Sequence, residues 1–320
     1  MGGTLSHSSK EEVKRAINFN CPDRIPVWFW NRDKHMSDIL SFELFPYKGE
    51  EVAVSEWGYV WENLGDGTLG QPKKPVIKSW DALEEYTFPD SSDNRFSGVE
   101  VFKSRAGNRY LVAEMGITGF NTYAFLRGFE NALVDLKLEK KNACRLLDRL
   151  FEFEKEIIQK AAGYRFDGIH FADDWGTQEG LIVHPDLWRE IFMPRYRDQF
   201  EMVHRLGMHV WFHCCGNITE IVPDFHEIGV DVMNISQPNA VDIAGIGDAL
   251  RGKQCFMIPI SYQTVSIHGS PQDIRNEAER LYNVLGSPDG GFIGYVEDYS
   301  VMGMSEDNYL ACANVFRNLK

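Results

Sequence analysis

His213 and Cys215 stand two residues apart in the stretch "WFHCCGN" (211–217). An imidazole nitrogen and a thiolate are donors that suit zinc, and residues i and i+2 of an extended strand project to the same side. The pair therefore offers two ligands to one ion, with Cys214 turned to the opposite face. A bond between adjacent Cys214 and Cys215 would close a strained small ring, so no disulfide is expected there. Packing explains a His-x-Cys pair as well as metal binding does, and two ligands do not complete a site. Glu297 or Asp298, in "GGFIGYVED" (290–298), supplies a candidate third ligand. A one-residue change of register exchanges the faces of these two carboxylates.

A second constellation is "HFADDWGTQEG" (170–180). Asp173 and Asp174 must alternate, so only one of them faces inward. Asp173 is the candidate to accept a proton or bind an amine or hydroxyl; the alternative is that one aspartate caps a turn. Gln178 and Glu179 lie in the same loop and can close over a ligand. The third, "PVWFWNRD" (26–33), places Trp28 and Trp30 as a ring-binding wall, with Asn31 beside them and Arg32 for an anion. Core packing accounts for Trp28 or Phe29 equally well. Glu114, Asn234, Ser236, Gln237, Ser261 and Tyr262 complete a set of polar residues, each at the end of an apolar run. His170, His184, His204, His209 and His226 lack ligand-like spacing and read as structural or exposed.

The elements that must position these residues follow from periodicity. From about residue 165 the chain alternates short apolar runs with helical patterns: strands at 167–174, 208–215, 230–236, 255–261 and 290–298, each followed by a helix. Pro194 should break or kink the first of these helices, and Gly207 is a natural stop. Residues 24–30 and 109–116 resemble two further strands, and 117–165 reads as a helical tract. Such alternation predicts a parallel sheet. Seven or eight units favour a (β/α)₈ TIM barrel, with chemistry at the carboxyl ends of the strands. The expected organisation is one domain over 1–320, in which 31–108 forms an irregular N-terminal excursion serving as loop or lid. An open doubly wound sheet is the alternative, weakened because no G-x-G-x-x-G turn follows a strand.

Composition narrows the partners. The 320 residues are 43% hydrophobic and 25% charged, ordinary values for a globular chain able to build its core without disulfides. A formal net charge of −14 and the lack of any basic run argue against nucleic acid. No apolar stretch is long enough for a membrane span, and the beginning of the chain has no signal-peptide core. The start "MGGTLS" nominally fits a myristoylation pattern, a match common by chance. Six cysteines then read as reduced thiols and the expected compartment as the cytoplasm.

The segments from "FADDWGTQEGLIVHPDLWREIFMPRYRD" through "HVWFHCCGNITEIVPDFHEIGVDVMNISQPN", together with "GGFIGYVED", resemble the uroporphyrinogen decarboxylase superfamily and, within it, the cobamide-linked methyltransferases. The likeness extends over nearly all of residues 10–320 and implies a (β/α)₈ barrel. Decarboxylases of this group carry "PVWxMRQAGR", whose arginines hold porphyrin carboxylates; this chain has "PVWFWNRDKHM" and keeps only Arg32 there. Their aspartate loop has no clear counterpart in "SEWGYVWENLGDG". In the methyltransferase branch, His-x-Cys and a late cysteine bind zinc. His213 and Cys215 match the first two, and a carboxylate, Glu297 or Asp298, stands where the late cysteine falls. The resemblance thus implies a harder zinc centre, suited to an ether, alcohol or amine rather than a thiol. The expected activity is methyl transfer between a small substrate, such as an O-methylated aromatic, and a corrinoid (cobalamin) carried by a partner protein. His213 and Asp173 are the expected catalytic residues. Trp28, Trp30, Asn31, Arg32, Glu114, Asp173, Gln178, Gln237 and Tyr262 are expected to bind substrate. Rival readings are decarboxylation of a smaller acid and a barrel that binds a ligand or metal without catalysis.

Overall fold

The computed structural model describes residues 7–45, 52–62 and 70–319. The myristoylation pattern lies outside the described residues.

Eight parallel strands run around a barrel: β1 (Val27–Phe29), β2 (Ile39–Glu43), β6 (Tyr110–Ile117), β7 (Gly168–Ala172), β8 (His209–Cys214), β9 (Val232–Ile235), β10 (Cys255–Pro259) and β11 (Phe292–Val296). Three further strands, β3 (Val52–Val54), β4 (Val60–Glu62) and β5 (Gln71–Lys73), form a separate antiparallel sheet. The helices are α1 (Ser9–Ile17), α2 (Ala82–Glu85), α3 (Val99–Ala106), α4 (Gly119–Arg127), α5 (Phe129–Leu138), α6 (Lys140–Gly163), α7 (Pro185–Ile191), α8 (Met193–Arg205), α9 (Val222–Glu227), α10 (Ile243–Leu250), α11 (Pro271–Leu285) and α12 (Glu306–Val315). Pro194 does divide its helical pattern, at Phe192 between α7 and α8. Within 31–108, expected to be irregular, the structure instead has β2, the β3–β5 sheet, α2 and α3. Strand β2 makes that stretch more than loop or lid, since it contributes one stave of the barrel.

Neighbouring strands pair in the order β1-β11-β10-β9-β8-β7-β6-β2. The seam between β1 and β2 is closed by side chains as well as backbone. Asp38 N donates to Val27 O at 2.9 Å, the Asp38 carboxylate accepts from Val27 N at 2.9 Å, and the Ser37 hydroxyl accepts from Phe29 N at 3.1 Å. Arg24 clamps Asp38 with two bonds of 2.7 and 2.5 Å, and the Ser9 hydroxyl donates to it at 2.6 Å. An aspartate can make this seam because its short carboxylate accepts several bonds at once.

Alternation along each strand divides the core in two. Val210, Phe212 and Cys214 of β8, like Ile169 and Phe171 of β7, face outward and pack in the cluster shared with the helices. Trp211, Val232, Cys255, Met257, Ile293, Tyr110, Val112 and Trp28 face inward. Val13, Ala16 and Ile17 of α1 join the inner cluster, and Ala16 O accepts from Gly291 N just before β11 begins. Helix α1 thus plugs the amino-terminal end of the barrel. The lower interior is filled mainly by apolar and aromatic groups, with the Tyr110 hydroxyl bonded to Asp167 O and His209. The candidate site residues lie toward the carboxyl ends of the strands.

Candidate active site

Three donors converge where β7 and β8 end. The donor atoms of Asp174, His213 and Cys215 all lie within 4.8 Å of one another. Cys215 Sγ is 3.5 Å from His213 Nε2, which lies 3.8 Å from Asp174 Oδ1. Tetrahedral bonding to zinc at ordinary bond lengths puts a nitrogen and a sulfur ligand about 3.6 Å apart. The donor set and the His213–Cys215 spacing therefore fit zinc.

Each member is held by its surroundings. Asn234 on β9 donates through Nδ2 to Met257 O at 2.8 Å, which leaves Oδ1 to accept from His213 Nδ1 at 2.6 Å. The proton on Nδ1 is thereby fixed and Nε2 is turned toward Cys215 and Asp174, the orientation that a metal-binding histidine needs. Burial works against charge on His213, but the Cys215 sulfur, Asp174 and Asn234 outweigh it and push the imidazole up to about 10. Asp174 Oδ1 accepts from Cys215 N at 2.8 Å, and Asp174 N is bonded to Asn121 Oδ1 at 2.9 Å. The turn after Cys215 is pressed against the β7 loop. Gly216 has φ +77°, and a Cβ there would fall 2.2 Å from Gly176 backbone atoms. Two glycines are needed for the loops to touch.

The adjacent cysteines separate as alternation requires. Cys214 is buried in the outer core and accepts from Trp175 N at 3.2 Å; both thiols are free.

Other expected site residues divide into those at the mouth and those turned away. Asp173, expected to be catalytic, is buried on the outer side of β7. It accepts from Phe120 N and Asn121 N, both at 2.8 Å, and from the Tyr196 hydroxyl. It caps α4 because Ile169, Phe171 and Asp173 share the outward parity, and Asp174 takes the inward position instead. Arg32, expected to hold an anion, makes bonds of 2.9 and 2.6 Å to Glu306 and lies over the Tyr309 ring. Asn31 joins two loops, exchanging two bonds with the backbone of Asp298. Asp298 also lies 3.5 Å from Arg32 and so faces the rim.

Glu297 faces inward, on the same parity as Ile293 and Tyr295. Burial pushes its carboxyl up, against the Tyr299 hydroxyl, which donates to it at 2.9 Å, and against nearby His213. Tyr299 stacks on Tyr262 with ring centroids 4.8 Å apart, and Tyr262 accepts from Gln237 at 2.6 Å. Gln237 accepts from Gln178 at 3.0 Å and from Gly216 N at 2.8 Å. Gln178, Gln237 and Tyr262 thus form one arc with Glu297 around the donor cluster. Below the arc lie Trp28 and Trp30, in edge contact at 5.6 Å, and Glu114, whose carboxyl burial pushes up to about 7.

Asp174, Asn234 and His170 are the positions that reasoning from spacing undervalued. Parity would have found two of them: His170 and Asp174 share the face opposite Ile169 and Phe171. Asn234 carries no spacing signal toward His213, since the two lie on separate strands.

Comparison with solved structures shows the same fold in a "methyltransferase from Methanosarcina mazei", at a TM-score of 0.72 and 14% identity, over 96% of this chain and 98% of that one. A chitinase from Chromobacterium violaceum aligns with a TM-score of only 0.42 at 10% identity, over 92% and 100% of the two chains. No curated protein matches the chain. Among the described residues no helix is long and apolar enough to cross a membrane. Residues 64–295 match the family described as "Uroporphyrinogen decarboxylase (URO-D)", and with the barrel and its polar carboxyl-end rim this places the chain in that family.

Proposed function

We propose that the protein is a zinc-dependent methyltransferase that moves a methyl group between a small O-methylated substrate and the corrinoid of a partner protein. The observation that carries this reading is the cluster of Asp174, His213 and Cys215, with His213 oriented by Asn234. These three residues would hold the ion, and a zinc bound there supplies Lewis acidity to the oxygen from which the methyl group departs. The chain's own residues contribute position and polarity. Asn234 keeps Nε2 of His213 available, Asp174 braces the Cys215 backbone, and the arc from Gln178 to Glu297 borders the mouth. The fold shared with a protein named as a methyltransferase supports the reading.

Decarboxylation of a polycarboxylate is the less favoured activity, because Arg32, the arginine retained in the N-terminal motif, is already paired with Glu306. The test is to incubate the purified chain with zinc, reduced corrinoid and candidate methyl ethers, following methylation of the corrinoid by absorbance. Methylation that is lost in Cys215→Ala supports the proposal. Carbon dioxide release from a small acid, with no methylation from any ether, would replace it with a decarboxylase.

A further inference from the structure

Two side chains inside the barrel close to the proposed metal ligands carry buried polar atoms without hydrogen-bond partners, although the Ser41 hydroxyl reaches the Glu114 carboxyl. Glu114 follows Tyr110 and Val112 on the inward parity of β6, and His170 is its register partner on β7. They are 7% and 5% exposed. His170 Nδ1 is 3.9 Å from Glu114 Oε1, beyond hydrogen-bond distance. Glu114 Oε2 and both ring nitrogens of His170 have no hydrogen-bond partner among the described residues. Buried polar atoms in native proteins are nearly always satisfied, so three orphans on two neighbouring side chains call for an explanation.

Packing does not supply one. Val112 and Trp211 fill the interior next to this pair with apolar groups. The rings around His170 are also apolar or aromatic: Trp28 meets it edge-on at 5.3 Å and Trp30 lies at 6.4 Å. The His213 ring is 6.3 Å away. The pair is therefore a polar patch in an aromatic setting, one ring's width from the donor cluster.

The chemistry of the pair selects its ligand. A neutral imidazole offers one N–H donor and one acceptor nitrogen, and the neighbouring carboxyl oxygen accepts. A hydroxyl uses both kinds of group, its oxygen accepting from His170 while its proton goes to Glu114. An ammonium has donors only and would leave the imidazole N–H without an acceptor. A carboxylate would meet Glu114 with like charge.

We propose that Glu114 and His170 form a subsite for the hydroxyl substituent of an aromatic ligand, whose ring lies against Trp28 and Trp30. The choice of an aromatic ligand rests on the proposed methyl-ether chemistry, but the subsite can be tested without methyl transfer.

The full chain is titrated with phenol and with anisole, its methyl ether, by calorimetry and by quenching of tryptophan fluorescence. Phenol should bind about 10- to 100-fold more tightly, the range expected when buried polar groups are left unpaired by the analogue. His170→Phe and Glu114→Leu should abolish that preference while leaving anisole binding within a few-fold. Glu114→Gln, which keeps an acceptor, should retain it. Equal affinities, no binding of phenol, or a preference that survives both apolar substitutions would overturn the subsite, as would tighter binding of benzoate or benzylammonium. Hydroxyl selectivity without corrinoid methylation by any ether would leave the subsite standing and remove the methyltransferase reading.

Discussion

Asn234 accepts from His213 Nδ1 at 2.6 Å while its own amide is committed to Met257 O at 2.8 Å. One buried asparagine on β9 thus fixes both the ring orientation and the Nδ1 proton of a histidine on β8. Removing it should leave the three donors in place but unaligned. Asn234→Ala is expected to weaken zinc binding about 10- to 100-fold, measured by competition with a chelator of known affinity. An unchanged affinity would show that His213 needs no such support.

The proposed third ligand is Asp174 rather than Glu297, because its carboxylate lies beside His213 and Cys215. Asp174→Asn should eliminate stoichiometric zinc in metal analysis, because the amide still accepts from Cys215 N but contributes no negative charge. Glu297→Gln should retain zinc. If Glu297→Gln loses the metal and Asp174→Asn keeps it, the carboxylate comes from β11 after all.

Asp173 and Asp174 should separate cleanly in activity. Asp173 lies among Phe120 N, Asn121 N and Tyr196, and burial pushes its carboxyl well above the usual carboxylate range. Both oxygens accept backbone N–H bonds, so an amide there exchanges one acceptor for a donor and costs stability without touching the donor cluster. Asp173→Asn is expected to keep corrinoid methylation within a few-fold per folded molecule, whereas Asp174→Asn abolishes it. Equal losses in the two variants would return Asp173 to the chemistry.

Asp38 closes the barrel seam and gives stability a pH dependence. Burial opposes its ionisation, but the Arg24 guanidinium, the Ser9 hydroxyl and Val27 N outweigh this and hold the carboxyl below its usual value. A depressed carboxylate stabilises the fold above its unfolded-state value, near 4, and loses that contribution as pH falls through the lower folded value. Asp38→Asn should cost about 2 kcal/mol near neutral pH, a figure kept modest because the partly exposed Arg24 screens the pair. Denaturant melts should converge for the two proteins as pH drops below 4, roughly the unfolded value. A constant gap would show that the charge is immaterial.

The loop contact between Gly176 and Gly216 admits no side chain. A Cβ on Gly176 would lie 2.4 Å from Asn217 N and the Gly216 carbonyl carbon. Gly176→Ala should destabilise the protein by about 1–3 kcal/mol and lower zinc affinity together with it, since the backbone must shift and carries Cys215. Thermal melts and zinc competition on the same preparation check both effects.

The barrel was legible from alternation because apolar runs of strand length recurred between helical patterns, and each run ended in a polar residue. Strand β2 was not legible. "ILSFE" (39–43) is short and mixed, and what recruits it is pairing with β6 from Ile39–Tyr110 to Glu43–Glu114. The parity that turns Asp173 out and Asp174 in was present in Ile169 and Phe171, yet spacing alone gave no origin for it. Facing is absolute only once one residue is known to touch the helices.

The sequence by itself determined the strand-helix alternation, the acidic balance, and the pairing of His213 with Cys215 on one face, since these depend on composition and on the two-residue period of a strand. The tertiary structure decided which carboxylate lies beside them, what orients the imidazole, and where Glu114 and His170 meet. Those relations run between strands, and cross-strand distances are set by register and barrel closure, which no local spacing encodes.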